Sequence, residues 1–412
     1  MTVDNWQLTN EQYPATSMCE YSFNPYYQGN PMWQNTECCA FTNDDIWDFH
    51  RSLQGYKPTP LVTLPSLAQK LGLGQIFVKD ESNRFDVKAF KPLGASYAIY
   101  HFIKKQWEAK FKSEFTHDDF ADVEKMKQLG SFTFCAASDG NHGRAVAWTA
   151  RKLKQKAVIY MPGNTVRSRI ENIESEGARV VVIEGTYDDC VERIKEDAKE
   201  NGWHVISDTA YEGNMEIPNY IMAGYTTIFR EVNPVCNRII DIVFLQTGVG
   251  GLTAAGTWYF VNRYKENRPK LISVEPTESD CFLESIRFGK GEPKQARGNQ
   301  ESIMAGLNCG IPSPVAWPVI KDGVDLFMSV SDDYAIEAMR QYYYPEKDDP
   351  RIISGESGAS GLAGLLALMT NDKFSAAREK LGISSNSKIL IINTEGDTDP
   401  VNFEKIVMKF KP

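Results

Sequence analysis

Phe85 to Tyr97 read FDVKAFKPLGASY, with Lys91 held between Phe90 and Pro92. The apolar run Ile76-Phe77-Val78 and the charged turn Lys79 to Arg84 precede it, which predicts a strand feeding into the stretch. After Pro92, Gly94-Ala95-Ser96 open a helical pattern through Ile103. Lys91 therefore sits at a strand-to-helix mouth. Desolvation there favours the neutral amine, and a neutral lysine is a nucleophile toward a carbonyl group. On this stretch alone an ordinary first-turn surface lysine reads the same way, so the surroundings must decide.

Those surroundings alternate strand, turn and helix. Strands are predicted at Phe132 to Ala136, Ala157 to Met161, Val180 to Ile183, Val205-Ile206, Ile242 to Leu245, Leu271 to Val274 and Ile389 to Ile392. Helical patterns fall at Ile46 to Leu53, Ala145 to Leu153, Val166 to Glu176 and Tyr187 to Glu200. Short unbroken apolar strands alternating with helices predict an α/β fold with buried parallel sheets. A chain of 412 residues exceeds what one core usually serves, so two domains are expected. Residues 285–300 read as a long surface loop. Residues 1–45 carry many aromatics with little periodicity, which predicts an extended arm wrapped on the body or on a partner subunit.

Composition narrows the function classes. Hydrophobic residues at 42% and charged residues at 24% are those of a soluble globular protein. A net charge of −9 argues against a nucleic-acid partner, which would want a basic face. No apolar run reaches the roughly 20 residues of a membrane span. No basic-then-apolar leader opens the chain, so a cytoplasmic enzyme is expected. The eight cysteines form no Cys-x-x-Cys pair, which speaks against a zinc site or a secreted disulfide framework. Cys281 and Cys309 lie beside segments placed near the site, so either a bridge or two thiols is possible there.

In parallel sheets, ligands bind at the carboxyl ends of strands. After Ile242 to Leu245 comes Gln246-Thr247-Gly248-Val249-Gly250-Gly251-Leu252-Thr253, then a helix. Such glycines can turn backbone amides toward a phosphate, or simply make a tight strand-to-helix turn. The third glycine of a dinucleotide fingerprint is missing, since Thr253 stands there, and no Lys-Ser/Thr follows to make a P-loop. A phosphate cup together with Lys91 suits a carbonyl cofactor such as pyridoxal phosphate. After Phe132 to Ala137 comes Ser138-Asp139-Gly140-Asn141-His142-Gly143-Arg144. Asn141 can donate to a phenolate oxygen, Asp139 can hold an ammonium, move a proton or cap the helix, and His142 reads as a packing group. After Ile389 to Ile392 comes Asn393-Thr394-Glu395-Gly396-Asp397, a polar turn. A hydroxyl there would meet a pyridine nitrogen without forcing it to stay protonated, which favours elimination over transamination.

The set AFKPLGASYA, SDGNHGRAVAW, TGVGGL and NTEGDTD, in this order, resembles a fold-type-II pyridoxal-phosphate enzyme of the threonine dehydratase and cysteine synthase superfamily. GYKPTPL at 55–61, VKDES at 78–82, DTAYEG at 208–213, IMAGLNCG at 303–310 and DPRIISGESGASGL at 349–362 are similar, more narrowly, to the diaminopropionate ammonia-lyase family. The resemblance runs from about Asp45 to Asp399. It implies two open parallel-sheet domains: a large cofactor domain from 46–92 and 233–412, and a small inserted domain at 93–232, with residues 1–45 as an arm.

The resemblance also implies roles. Lys91 would form the Schiff base with pyridoxal 5'-phosphate, beside Phe90. Asn141 would face the phenolate oxygen, Gly248, Val249, Gly250, Gly251 and Leu252 would hold the phosphate, and Thr394 would face the ring nitrogen. Glu356 would lie near the cofactor. Asp139 stands where dehydratases carry a small hydroxyl residue, and Asp208 matches a second acidic position. The implied reaction is α,β-elimination of 2,3-diaminopropionate to pyruvate and two ammonia, by a homodimer. Lys91 would serve as base for the L-isomer, and Asp139, on the other face, for the D-isomer. A serine/threonine dehydratase, or a non-catalytic protein that kept the cofactor fold, are the competing expectations.

Overall fold

A computed structural model describes residues 19–27, 39–138, 140–163, 165–185, 187–211, 213–236 and 240–408. Eleven strands appear among them, in two sheets. The strands are β1 (Glu20–Phe23), β2 (Leu61–Thr63), β3 (Gln75–Asp80), β4 (Thr133–Ala137), β5 (Lys156–Pro162), β6 (Arg179–Ile183), β7 (His204–Val205), β8 (Ile242–Gln246), β9 (Lys270–Pro276), β10 (Leu326–Val330) and β11 (Lys388–Asn393). The larger sheet runs β1-β10-β9-β8-β11-β3-β2, parallel except for its two antiparallel edge strands β1 and β2. The smaller runs β6-β5-β4-β7 and is parallel throughout. Every residue of β8 is buried, as a strand covered by helices on both faces must be.

Three strands have no clear signal in the sequence. β1 and β2 are short and lie at sheet edges, where periodicity is weakest, and in β10 (LFMSV) Ser329 interrupts the apolar run. β1 settles part of the arm: Glu20 to Phe23 pair with Ser329 to Leu326, and Arg287 and Lys373 bracket the Glu20 carboxylate. The stretch Cys19–Tyr27 thus lies on the body, and residues 1–18 and 28–38 lie outside the described residues. The surface loop expected over 285–300 starts late, because Ser285 to Phe288 finish the helix Cys281–Phe288 and Ser285 and Ile286 are buried. Among the described residues no helix is long and apolar enough to cross a membrane.

The helices Lys91–Phe111 and Glu216–Cys236 pack against each other and meet through glycines. A Cβ on Gly94 would lie 2.6 Å from Tyr225 Cε1 and 2.7 Å from the Ile221 carbonyl oxygen, and one on Gly224 would lie 2.5 Å from the Leu93 carbonyl oxygen. Backbone cannot yield as a flexible side chain can. Gly94→Ala is therefore expected to destabilise the protein by about 1–3 kcal/mol, the range of an overpacked core, read as a lowered urea midpoint at unchanged slope. An unchanged midpoint would mean that the helices can part without cost.

Candidate active site

The site gathers at the carboxyl ends of β3, β4, β8 and β11. From β3 the chain passes two 3₁₀ turns, Glu81–Asn83 and Phe85–Val87, and reaches Lys91, first residue of its 21-residue helix. Pro92 suits that first turn because its missing N–H needs no partner there. The approach is fastened to the exit of β11: the Phe90 amide donates to the Thr394 carbonyl at 3.1 Å, and the Gly396 amide to the Lys88 carbonyl at 2.9 Å. Ala89 and Glu395 pair as an isolated bridge. Two stretches some 300 residues apart in sequence thus lie side by side.

Lys91 Nζ donates to Asp208 Oδ2 at 2.7 Å and stands 5.4 Å from the centroid of the Phe90 ring. Asp208 opposes the neutral amine expected from desolvation. Burial does press the amine toward neutrality, but the Asp208 carboxylate outweighs it and raises the lysine above its usual range. Burial likewise pushes Asp208 up, and positive charge beside it holds it well below the usual carboxylate range; because burial lowers His142 itself, Lys91 is the cation that does so at neutral pH. His142 is 4% exposed and donates from Nε2 to the Ile206 carbonyl at 2.7 Å, with Nδ1 3.8 Å from Asp208 Oδ2. It packs, as expected, and it also backs Asp208.

The helix Asn141–Lys152 follows β4, and Ser138 caps it by accepting from the amides of Gly140 and Gly143 at 3.0 and 2.8 Å. Asp139 lies outside the described residues. Asn141 Nδ2 donates to the Glu395 carboxylate, which also accepts from the Ser357 amide at 3.1 Å. Thr394 Oγ1 accepts from Gln246 Nε2 at 3.2 Å. The same amide group donates to the Ile392 carbonyl at 2.8 Å, which fixes its orientation. With an acceptor site of Thr394 engaged by Gln246, its hydrogen remains to be donated.

Between β8 and the helix Gly251–Tyr264 lies the glycine turn. Gly250 has φ +103°, and a Cβ there would come within 2.6 Å of Phe282 Cζ, so both conformation and space demand glycine. No side chain caps this helix, which leaves its first amides for an anion. The turn is anchored beneath by buried hydroxyls: Thr247 Oγ1 is 2.8 Å from Thr253 Oγ1 and 2.6 Å from Ser273 Oγ. The Val249 carbonyl accepts from the Ser313 amide at 3.0 Å. Cys281 and Cys309 are thiols rather than a disulfide.

Lys91, Phe90, Asp208, Asn141 and Thr394 thus meet in one region. Glu356 Oε1 accepts from the side chain of Asn402, while burial and the Glu395 charge raise it. Three residues come forward that the motifs did not single out: Glu395 behind Asn141, Gln246 behind Thr394, and Tyr225 beside Lys91. Glu395 and Gln246 lie inside quoted motifs, and their position at strand ends was the available signal. Pyridoxal phosphate fits this donor set: an amine for its aldehyde, uncapped helix amides for its phosphate, a hydroxyl able to donate to its ring nitrogen, and an amide near the β11 turn.

Residues 52–395 match the family model described as pyridoxal-phosphate dependent enzyme. The chain is similar to the diaminopropionate ammonia-lyase of Escherichia coli (strain K12), 39% identical over 367 residues, 88% of this chain and 90% of that one. The Salmonella typhimurium enzyme of the same name is 38% identical over 370 residues, 88% of this chain and 91% of that one. Among solved structures, Escherichia coli diaminopropionate ammonia lyase with an aminoacrylate-PLP azomethine reaction intermediate superposes with a TM-score of 0.84 at 35% identity, over 95% of this chain and 97% of that one.

Proposed function

Because the chain belongs to the pyridoxal-phosphate dependent enzymes, and among them to the diaminopropionate ammonia-lyase family, we propose that it converts 2,3-diaminopropionate (D, L or both) and water to pyruvate and two ammonia. Its cofactor is pyridoxal 5'-phosphate, which when bound supplies the electron sink for a departing α-proton. The observation that carries the reading is the 2.7 Å contact of Asp208 with Lys91 Nζ. A carboxylate kept ionised at the reacting amine can receive a second ammonium on the substrate. A β-hydroxyl substrate would have no use for it.

The remaining roles follow from the chemistry of this chain's own groups. Lys91 Nζ bonds the cofactor, and once released it takes the α-proton of the L-isomer. Asp208 holds ammonium groups and keeps the amine in place. The amides of Gly248 to Leu252 hold the phosphate, Asn141 donates to the phenolate oxygen, and Thr394 donates to the ring nitrogen. Asp139 takes the α-proton of the D-isomer from the opposite face. Asp139→Asn should then slow the D-isomer by roughly a hundredfold, the low end of what a general base contributes, and spare the L-isomer. Equal losses on both isomers would sink the two-face scheme.

The direct test is pyruvate and ammonia release from cofactor-loaded enzyme given D- and L-2,3-diaminopropionate, L-serine and L-threonine. Two ammonia per pyruvate from diaminopropionate, with the hydroxy amino acids far slower, is the expected result. Preference for serine or threonine would make it a dehydratase, and silence on all four a binding protein. In the same reading the enzyme is a cytoplasmic homodimer, which a single-chain mass on sedimentation would refute. Residues 93–232 move against 46–92 and 233–412 to close the site, and unchanged small-angle scattering on substrate addition would refute that.

A further inference from the structure

Glu395 follows Thr394 at the exit of β11 and is 4% exposed. Donors meet both oxygens of its carboxylate. Oε1 accepts from the Ser357 amide at 3.1 Å, and Oε2 accepts from Asn141 Nδ2 and, at 3.4 Å, from Thr398 Oγ1. A neighbouring glycine leaves it room: a Cβ on Gly355 would lie 2.7 Å from the Gly396 carbonyl oxygen and 2.9 Å from Glu395 Oε1. The backbone is held as well. The Gly355 amide donates to the Glu395 carbonyl at 3.1 Å, and Ala89 pairs with Glu395 as the bridge described above.

A carboxamide has two ends of like size and opposite use, since its nitrogen donates and its oxygen accepts. The helix Asn141–Lys152 sets the position of Asn141 but does not choose which end faces Glu395. The carboxylate chooses, because an ionised carboxylate only accepts and must be met by Nδ2. One Nδ2 hydrogen goes to Glu395, and the second stays on the same atom, ready for another acceptor. A glutamine at this position could not make the same choice. Its single carbonyl oxygen can serve the Ser357 amide or Asn141, and its own amide hydrogens would then face the other donor.

We propose that Glu395 is the positioning residue for Asn141, turning Nδ2 so that its second hydrogen donates to the phenolate oxygen of bound pyridoxal phosphate. The inference rests on the reading that Asn141 faces that oxygen. A donor there favours the oxygen as an anion. The phenolate oxygen and the nitrogen that Lys91 bonds to the cofactor share one proton. With the donor in place the proton stays on nitrogen; without it the proton passes to oxygen, and no atom enters or leaves. The first form absorbs in the visible and the second in the near ultraviolet.

The test is the ratio of visible to near-ultraviolet absorbance of the full-length enzyme loaded with pyridoxal phosphate, at one pH and without substrate. In Glu395→Gln that ratio is expected to fall about tenfold, the change that goes with about one pKa unit. Asn141→Ala should fall equally. Asn141→Ala/Glu395→Gln should fall no further than Asn141→Ala alone, since Glu395 acts through Asn141. An unchanged ratio in Glu395→Gln overturns the proposal. So does a raised one, which is what removing a negative charge beside the anion does by itself. A double variant whose fall is the product of the single falls overturns it too. If Glu395→Gln does not fold, Glu395→Asp is read in the same way, because it keeps the charge and draws it back from Asn141. An unchanged ratio in Asn141→Ala means that the asparagine is not on the phenolate oxygen, and then the reading beneath the proposal has failed with it.

Discussion

Lys91→Ala is expected to lower pyruvate release from diaminopropionate by more than about 10⁴-fold, the upper end of what one acid–base group contributes, because here the same group is also the nucleophile. Lys91→Arg should be as inactive, since a guanidinium stays charged and does not bond a carbonyl carbon. The two variants should part in stability. Alanine leaves Asp208 without the cation at 2.7 Å that helps keep it ionised, so burial then pushes that carboxyl upward. Arginine keeps a cation nearby. The folded pKa of Asp208 is depressed, so its share of stability is present above the unfolded value near 3.9 and fades as pH falls through the folded one. Lys91 is raised, so its share is present below about 10.4 and fades as pH rises through the higher folded value. Between these limits the wild type and Lys91→Arg should melt at nearly constant temperatures, and Lys91→Ala should melt lower. Residual turnover in Lys91→Ala above about one per cent of wild type would remove the lysine from the chemistry.

That pair also marks where the sequence stopped being legible. The mouth at Lys91 was readable, because Phe90, Pro92 and the glycines around it are local signals. The charge state was not, because Asp208 lies 117 positions away and only the fold brings it to Nζ. Likewise the run Ile242 to Leu245 predicts β8, yet nothing local says that the side chain of Gln246, which ends the strand, reaches across to Thr394. Strands with unbroken apolar runs announce themselves within a residue or two. The edge strands β1 and β2 are held by neighbours rather than by their own pattern. Tyr225 is the extreme case: in the sequence it is one more aromatic on an amphipathic helix, and only the fold sets its ring 4.6 Å from that of Phe90, between centroids.

Glu231→Ala is expected to destabilise the protein by about 3–5 kcal/mol, the cost of removing one partner from a buried ion network. Glu231 is on the same helix as Tyr225 and accepts from Lys79 Nζ at 2.5 Å and, through both oxygens, from Arg84 at 2.9 Å. Tyr56 and the Thr59 amide complete its shell, at 2.6 and 3.0 Å. Arg84 also grips Glu81 with two bonds of 2.8 Å, so two cations face two carboxylates with almost no access to water. Burial alone would raise Glu231, but Arg84 and Lys79 hold it below the usual carboxylate range. Its stabilisation is therefore present above the unfolded value near 4.3 and is lost as pH falls through the lower folded value. With Glu231 gone, Lys79 and Arg84 would share the single carboxylate of Glu81 in a dry site, and one of them would be left uncompensated. Replacing the opposing charge as well, in Lys79→Met/Glu231→Ala, should return a good part of the loss, because the excess cation goes with it. The network braces the segment from Lys79 to Arg84, which carries Lys91 into the site, against the helix that carries Tyr225. Denaturation followed by tryptophan fluorescence measures both variants. If Glu231→Ala cost under about 1 kcal/mol, the range of an exposed pair, the four charges would have to be reached by solvent.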